Sequence, residues 1–250
     1  MSEELHDTAV AAETEVPAEA TSAQAEDPAA PAPKKKSRKK LAIWSGVAVL
    51  VAAAGIGFYV WHNQPSFCDA ICHTPMDPYG DTYFQELGAP GVDKWGNQVA
   101  NTSGMLCVVH AAEGLGCIDC HVPTLSEQIH EGIEWVTGNY TAYENPTYGL
   151  VISEKNLTQL VAARGLESGD EFCLTEGCHE TDRKGLIALT MDVSRVRNPH
   201  AMPHRELQCS DCHKSHRASI NQCSACHDDA PIPEGWLTTA EAAKLAEKVL

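Results

Sequence analysis

Apolar residues along this chain form one long block and several short, interrupted ones. Leu41 to Trp61 runs 21 residues without a charge, long enough to cross a bilayer as a helix. Ahead of it, residues 1–33 mix Ala, Glu, Pro, Thr and Ser with eight acidic residues, no basic ones and no apolar period, which predicts a disordered segment. Between the two, residues 34–40 read K-K-K-S-R-K-K. Six basic residues on that flank predict a cytoplasmic N-terminus, with Trp44, Tyr59 and Trp61 as interfacial aromatics and the rest of the chain on the extracytoplasmic, periplasmic side. A cleaved secretory signal is the alternative, since Ala52 to Ala54 offers small residues, but such signals start close to the N-terminus and have shorter apolar regions. After His62 the helical period returns over Leu125 to Thr137, over Glu154 to Arg164 ending at Gly165, and over Thr239 to Val249, opened by Thr238 with Glu241 three residues on as a capping box. No convincing alternating β pattern is present.

The expected division is a disordered acidic tail with its basic flank (1–40), an anchor helix (41–61) and an extracytoplasmic domain (62–250). That last part carries 26 acidic and 12 basic residues. The whole chain has a formal charge of −16, which excludes a broad nucleic-acid surface. With 6% aromatic residues, side chains alone are thin material for a core of this size.

Eleven cysteines change the picture. Cys117 to His121 reads C-I-D-C-H, Cys209 to His213 reads C-S-D-C-H and Cys223 to His227 reads C-S-A-C-H. Each C-x-x-C-H is a covalent c-type haem site: two thiols bond the vinyl groups and the adjacent histidine lies under the iron. A tetrahedral zinc site is the competing use of such clusters. Two further pairs keep the terminal Cys-His step and stretch the gap: Cys68 to Cys72 with His73, and Cys173 to Cys178 with His179. Disulfides within these pairs are the alternative. Five haems would fill the core and need only short helices around them. The fold class expected is therefore mostly α with much irregular structure: one transmembrane helix plus a multihaem c-type cytochrome domain organised around stacked haems.

Proximal ligands are then His73, His121, His179, His213 and His227, and six further histidines remain outside the tail. Electron-transfer haems are usually six-coordinate. His110, His204, His216 and His200 are the favoured distal ligands, ahead of His130 and His62. Met76, three residues after His73, is a candidate axial thioether that would raise that haem's potential. Cys107 is the odd thiol, read as a buried small hydrophobe. Asp77, Asp81 and Tyr79, close after the first motif, are candidates for accepting protons and hydrogen-bonding a substrate headgroup.

The anchor, a first motif reading C-H-T-P-M-D-P-Y, H-A-A-E-G-L-G-C-I-D-C-H-V-P from His110, and H-R-E-L-Q-C-S-D-C-H-K-S-H from His204 to His216 resemble the NapC/NirT/NrfH family of membrane-anchored multihaem quinol dehydrogenases. The resemblance covers Leu41 to Arg217. It implies oxidation of menaquinol or a similar quinol at the outer membrane face, with electrons relayed through stacked haems to an extracytoplasmic terminal reductase in anaerobic respiration. This chain departs from the family pattern in its stretched motifs, in Met76 lying one residue further from the histidine, and in its fifth motif, which has no counterpart in the four-haem plan. No motif carries lysine in place of the proximal histidine, as resembling multihaem nitrite reductases would at their active haem. Two other classes fit the same motifs, a protein-fed conduit or storage cytochrome and a self-contained haem reductase. The terminal acceptor and the oligomeric state are not written in the sequence.

Overall fold

The computed structural model describes residues 37–247 except Arg205. At Cys72, His73 and Thr74 it describes the main chain only. The acidic tail, His6, most of the basic run and the last residues of the helix expected over Thr239 to Val249 lie outside the described residues. The chain divides into two compact units, residues 1–49 and 50–250. The described part of the first is the N-terminal half of helix α1 (Arg38–His62), whose side chains are exposed throughout. This helix is long and apolar enough to span a membrane.

In the second unit, α2 (Pro65–Tyr83) opens with Pro65 in its first turn, where a missing N–H costs nothing, and continues through Pro75 and Pro78. A two-stranded hairpin follows, β1 (Gly91–Val92) with β2 (Gln98–Val99). Its turn is tied by buried Asp93, whose carboxylate accepts from the main-chain N–H groups of Trp95 and Asn97, both at 2.9 Å. Next come α3 (Leu106–Ala112), the single turn α4 (Cys117–Cys120) and α5 (Leu125–Thr137). The antiparallel hairpin of β3 (Ala142–Asn145) and β4 (Gly149–Ile152) pairs Ala142 with Ile152. Then α6 (Leu157–Ala163), α7 (Gly169–Cys173), α8 (Arg183–Leu189) and α9 (Cys209–Cys212) lead to β5 (Ile220–Asn221), which pairs in parallel with β6 (Leu237–Thr238) before α10 (Thr239–Ala246).

The helical expectation over Leu125 to Thr137 matches α5, whose ends are set by Thr124 and Glu127 exchanging hydrogen bonds and by Gly138 at φ +68°. The helix expected from Glu154 starts only at Leu157, because Asn156 accepts from the Gln159 N–H and fixes the first turn there. α10 carries the expected box: Thr238 accepts from the Glu241 N–H at 3.2 Å and Glu241 accepts from the Thr238 N–H at 2.8 Å. The expectation of no strands is corrected. Among the described residues three two-stranded sheets are present, too short to show as a period in the sequence. The longest depends on the P-T-Y-G turn, with Gly149 at φ +75°.

The apolar core is small. Val99, Met105, Val108 and Ala218 form it, with Cys107 and Leu237 packed against them. Main-chain bonds knit the residues around Met105 to the segment after α9: Leu106 N–H to Lys214 C=O at 2.9 Å and Ser219 N–H to Gly104 C=O at 2.8 Å. Leu237 N–H then reaches Ser219 C=O at 2.8 Å. At this junction a Cβ on Gly104 would strike the main chain of Gly235 and Trp236.

Backbone cannot yield there, so Gly104→Ala is expected to destabilise the protein by about 1–3 kcal/mol, as overpacking does. Gly132→Ala, in the interior of α5 with nothing within 4 Å of the added methyl, is expected to stabilise by up to about 1 kcal/mol. Thermal unfolding of the two holoprotein variants against the parent checks the opposite signs.

Candidate functional site

In each motif from the second onward the first Cys and the following His meet through one main-chain bond, and in the second, fourth and fifth the residues between form a short helical turn. His121 N–H donates to Cys117 C=O at 2.8 Å, His213 to Cys209 at 2.9 Å and His227 to Cys223 at 2.8 Å. In α4 and α9 the aspartate of C-x-D-C accepts from the N–H just before the motif, Asp119 from Gly116 at 2.6 Å and Asp211 from Gln208 at 2.9 Å. In the fifth motif Asn221 accepts from the Cys223 N–H at 2.9 Å. The stretched third motif closes in the same way: His179 N–H reaches Cys173 C=O at 3.3 Å. Its two extra residues are taken up by a turn at Gly177, φ +81°, in the left-handed region glycine adopts without strain. Cys68 and the main chain of Cys72 and His73 lie within α2.

The motif cysteines with described side chains, Cys226 excepted, line one cavity of about 1560 Å³, and Met76 borders it too. A single small-molecule site usually measures about 300–1,000 Å³, so this space has room for more than one large group. Thiols of successive motifs meet in chain order. Cys117 is raised to about 11 by burial and then by Cys68, and Cys120 is raised by burial with Cys178 among its neighbours. Cys173 is raised by its hydrogen bond with Cys209, and Cys212 by burial with Cys223 nearby. The five motifs therefore follow one another in space as they do in sequence.

Histidine rings face one another in pairs. His110 and His179 have ring centroids 6.2 Å apart, His200 and His213 lie 6.3 Å apart with planes only 8° from parallel, and His204 and His227 lie 6.1 Å apart. A metal–imidazole bond is about 2.0–2.1 Å. With roughly 1.1 Å from ring nitrogen to centroid, two imidazoles on opposite sides of one ion stand about 6.3 Å apart. The pairs thus fit axial ligation of haem iron. A tetrahedral zinc site fits poorly, and among the described residues no group of three or more His, Cys, Asp or Glu converges on a metal position.

Burial favours the neutral, lone-pair form at five histidines. His216 is pushed down to about 3 by burial, then by His121 and Lys94, and His213 to about 4 by burial, then by His200, His179 and His110. His110, His200 and His121 are lowered for the same first reason. Two threonines fix the tautomer. The Thr82 hydroxyl donates to Tyr79 C=O at 2.9 Å and therefore accepts from His216 Nδ1–H at 2.7 Å. The Thr190 hydroxyl donates to Leu186 C=O at 2.7 Å and accepts from His200 Nδ1–H at 3.1 Å. In both rings Nε2 is left as the lone-pair nitrogen, the arrangement metal-bound histidines commonly use.

Other sequence candidates are placed as follows. His62 packs at a tilt against Phe58 and Phe67 and borders the cavity. His130 is exposed and meets Glu134 at 3.3 Å. Tyr79 is buried, lies against His216 at 5.1 Å and donates its hydroxyl to Ile152 C=O at 2.8 Å. Asp81 is exposed and hydrogen-bonds Tyr148, which burial and then Asp81 push up to about 12; Asp77 also acts on that tyrosine. Cys107 packs at the core, its thiol pushed up to about 12 by burial, so it carries little thiolate. Sequence reasoning missed Thr82 and Thr190, which no local signal marks: Thr82 lies 134 residues from His216.

Thr82→Val keeps the shape and removes the acceptor of a buried Nδ1–H. It is expected to cost about 1–3 kcal/mol of stability, read by thermal unfolding of holoprotein, while Thr82→Ser retains most of the parent stability.

A family model for cytochrome c3 matches residues 156–228, the span of the third, fourth and fifth motifs, and it implies covalently bound haem c. The cytochrome c-type protein Cgr1 of Eggerthella lenta is 53% identical over 214 residues, which is 86% of this chain and 94% of that protein. No solved structure matches the chain. Paired imidazoles, serial thiol pairs and near-full-length identity agree: the chain belongs to the family of the cytochrome c-type protein Cgr1, as a multihaem c-type electron-transfer cytochrome.

Proposed function

We propose that this cytochrome is anchored by α1, oxidises menaquinol or a similar quinol at the outer membrane face, and relays electrons through five covalently bound haems c to an extracytoplasmic terminal reductase. The serial contact of the five motifs carries this reading, because it makes one wire rather than scattered sites. It accords with the sequence resemblance to the NapC/NirT/NrfH quinol dehydrogenases. The proposed division of labour is the anchor at 41–61, the basic flank before it on the cytoplasmic side, and the haem domain at 62–250.

Haem c supplies a reversible one-electron couple at each motif. The chain's part is to hold and tune it. Cys68 with Cys72, Cys117 with Cys120, Cys173 with Cys178, Cys209 with Cys212, and Cys223 with Cys226 attach the five groups. His73, His121, His179, His213 and His227 stand as proximal ligands. His110, His200 and His204 stand opposite His179, His213 and His227, as their ring spacings support. His216 is assigned to His121, the first histidine that acts on it. Met76 is the axial candidate at the first motif. A quinol gives up two electrons and two protons, and Asp81 and Asp77 are placed on accessible or half-buried ground to accept protons. Tyr79, its hydroxyl already donated to Ile152, acts by positioning His216.

Single substitutions His110→Ala, His200→Ala and His204→Ala should each turn one haem high-spin, seen in the electron paramagnetic resonance spectrum, at an unchanged haem-to-protein ratio. His130→Ala should leave the spectrum unaltered.

Anaerobic stopped-flow reduction by a menaquinol analogue tests the whole reading. Fast reduction at about five haems per chain supports it. Reduction by dithionite but not by quinol would replace it with a protein-fed conduit.

A further inference from the structure

α5 carries an apolar face that the protein leaves uncovered. Leu125, Ile129, Ile133 and Val136 recur at steps of four, four and three, so they lie along one side of the helix. They are 73%, 56%, 58% and 84% exposed. The other side is polar: Glu127 and Glu131 both hold Lys155, at 3.4 and 3.0 Å. Trp135 near the helix end stacks on Tyr140, centroids 5.6 Å apart. Leu125 and Ile129 also border the large cavity, so a group seated there takes part of their surface. Ile133 and Val136 border neither that cavity nor the smaller one. One exposed apolar residue is ordinary, but a continuous stripe marks an interaction surface.

Its neighbour says what covers it. A second cleft of about 400 Å³ is lined by Phe58, Tyr59 and His62 of the last turns of α1 and by Val122, Pro123 and Gln128 at the start of α5. α5 thus begins beside the end of the helix that is long and apolar enough to cross a membrane.

We propose that α5 lies in the membrane–water interface of the leaflet that α1 exits, with Ile133 and Val136 among the lipid acyl chains. This rests on the anchor reading of α1. Interfacial helices with one apolar side sink it about 5–10 Å past the headgroups, and an aromatic pair such as Trp135 with Tyr140 suits headgroup depth. The polar side is acidic, so attachment comes from apolar burial and needs no anionic lipid.

The test is site-specific photo-crosslinking of full-length holoprotein in nanodiscs of phosphatidylcholine. p-Benzoylphenylalanine replaces Val136, Val49 in the anchor, or exposed Lys184 as control, with adducts read by mass spectrometry and the haem-to-protein ratio checked for each variant. Lipid adducts at Val136 and Val49, about ten-fold above Lys184, are expected for an interfacial helix. Lipid adducts at Val49 with none at Val136 overturn the inference and leave the anchor standing. Crosslinks from Val136 to a second copy or another polypeptide overturn it too. Absence of lipid adducts at Val49 overturns the anchor reading and the inference with it.

Discussion

Everything in this protein depends on how two thiols and a histidine are held at one place on the chain. A c-type haem bonded at both vinyl groups and ligated from below tolerates little error in the spacing of those three side chains. The protein meets this with one main-chain bond, from the histidine N–H to the first cysteine C=O, repeated in the second, third, fourth and fifth motifs. The residues between the thiols are free to vary as long as that bond closes. The third motif adds two residues and one left-handed glycine and still closes it at 3.3 Å. The insertion is absorbed in a turn, and the ligand stays where it is.

The consequence for packing is a domain whose apolar core cluster is four buried side chains and their neighbours, within eleven buried apolar residues among those described. A chain of this length would ordinarily bury far more. Its walls are instead organised around a cavity bordered by cysteines and histidines, with main-chain bonds between Leu106, Lys214, Gly104, Ser219 and Leu237 holding distant segments together. Such bonds pin backbone without needing large side chains, which suits an interior meant for porphyrins. Neutral histidines follow from the same enclosure. His213 and His216, burial having moved them to about 4 and 3, keep their lone pairs at neutral pH.

Much of the chemistry was legible in the sequence because it is local. The Cys-His steps, the capping residues of α5 and α10 and the apolar 21-mer are each written within a few positions of one another. What was hidden is what crosses the chain. Thr82 cannot be linked to His216, nor Thr190 singled out for His200, until folding brings a hydroxyl with a committed proton against the ring. The short sheets were illegible for another reason: two residues per strand carry no period, and the β3–β4 hairpin owes its register to a turn. Tyr79 illustrates the limit of proximity arguments. Its place beside the first motif suggested an open hydroxyl, whereas its ring lies against His216 and its hydroxyl against Ile152.

Serial order has one further implication for function. Where the cysteines of successive motifs act on one another in chain order, the two ends of the series differ in surroundings even though their chemistry is alike. The first motif lies in α2, which begins three residues beyond the last residue of α1. The fifth is the more open end, with Cys226 and the two aspartates after His227 exposed. The pair at that end, His204 and His227, is unlike the pair formed by His200 and His213 in having one ring at the surface. His179 of the third motif is exposed as well, so the pairs of the third and fifth motifs each present one surface ring and the His200–His213 pair between them is the more enclosed. Burial thus offers two exposed points in the proposed relay, and the potentials of the bound groups and of their partners set the direction of flow.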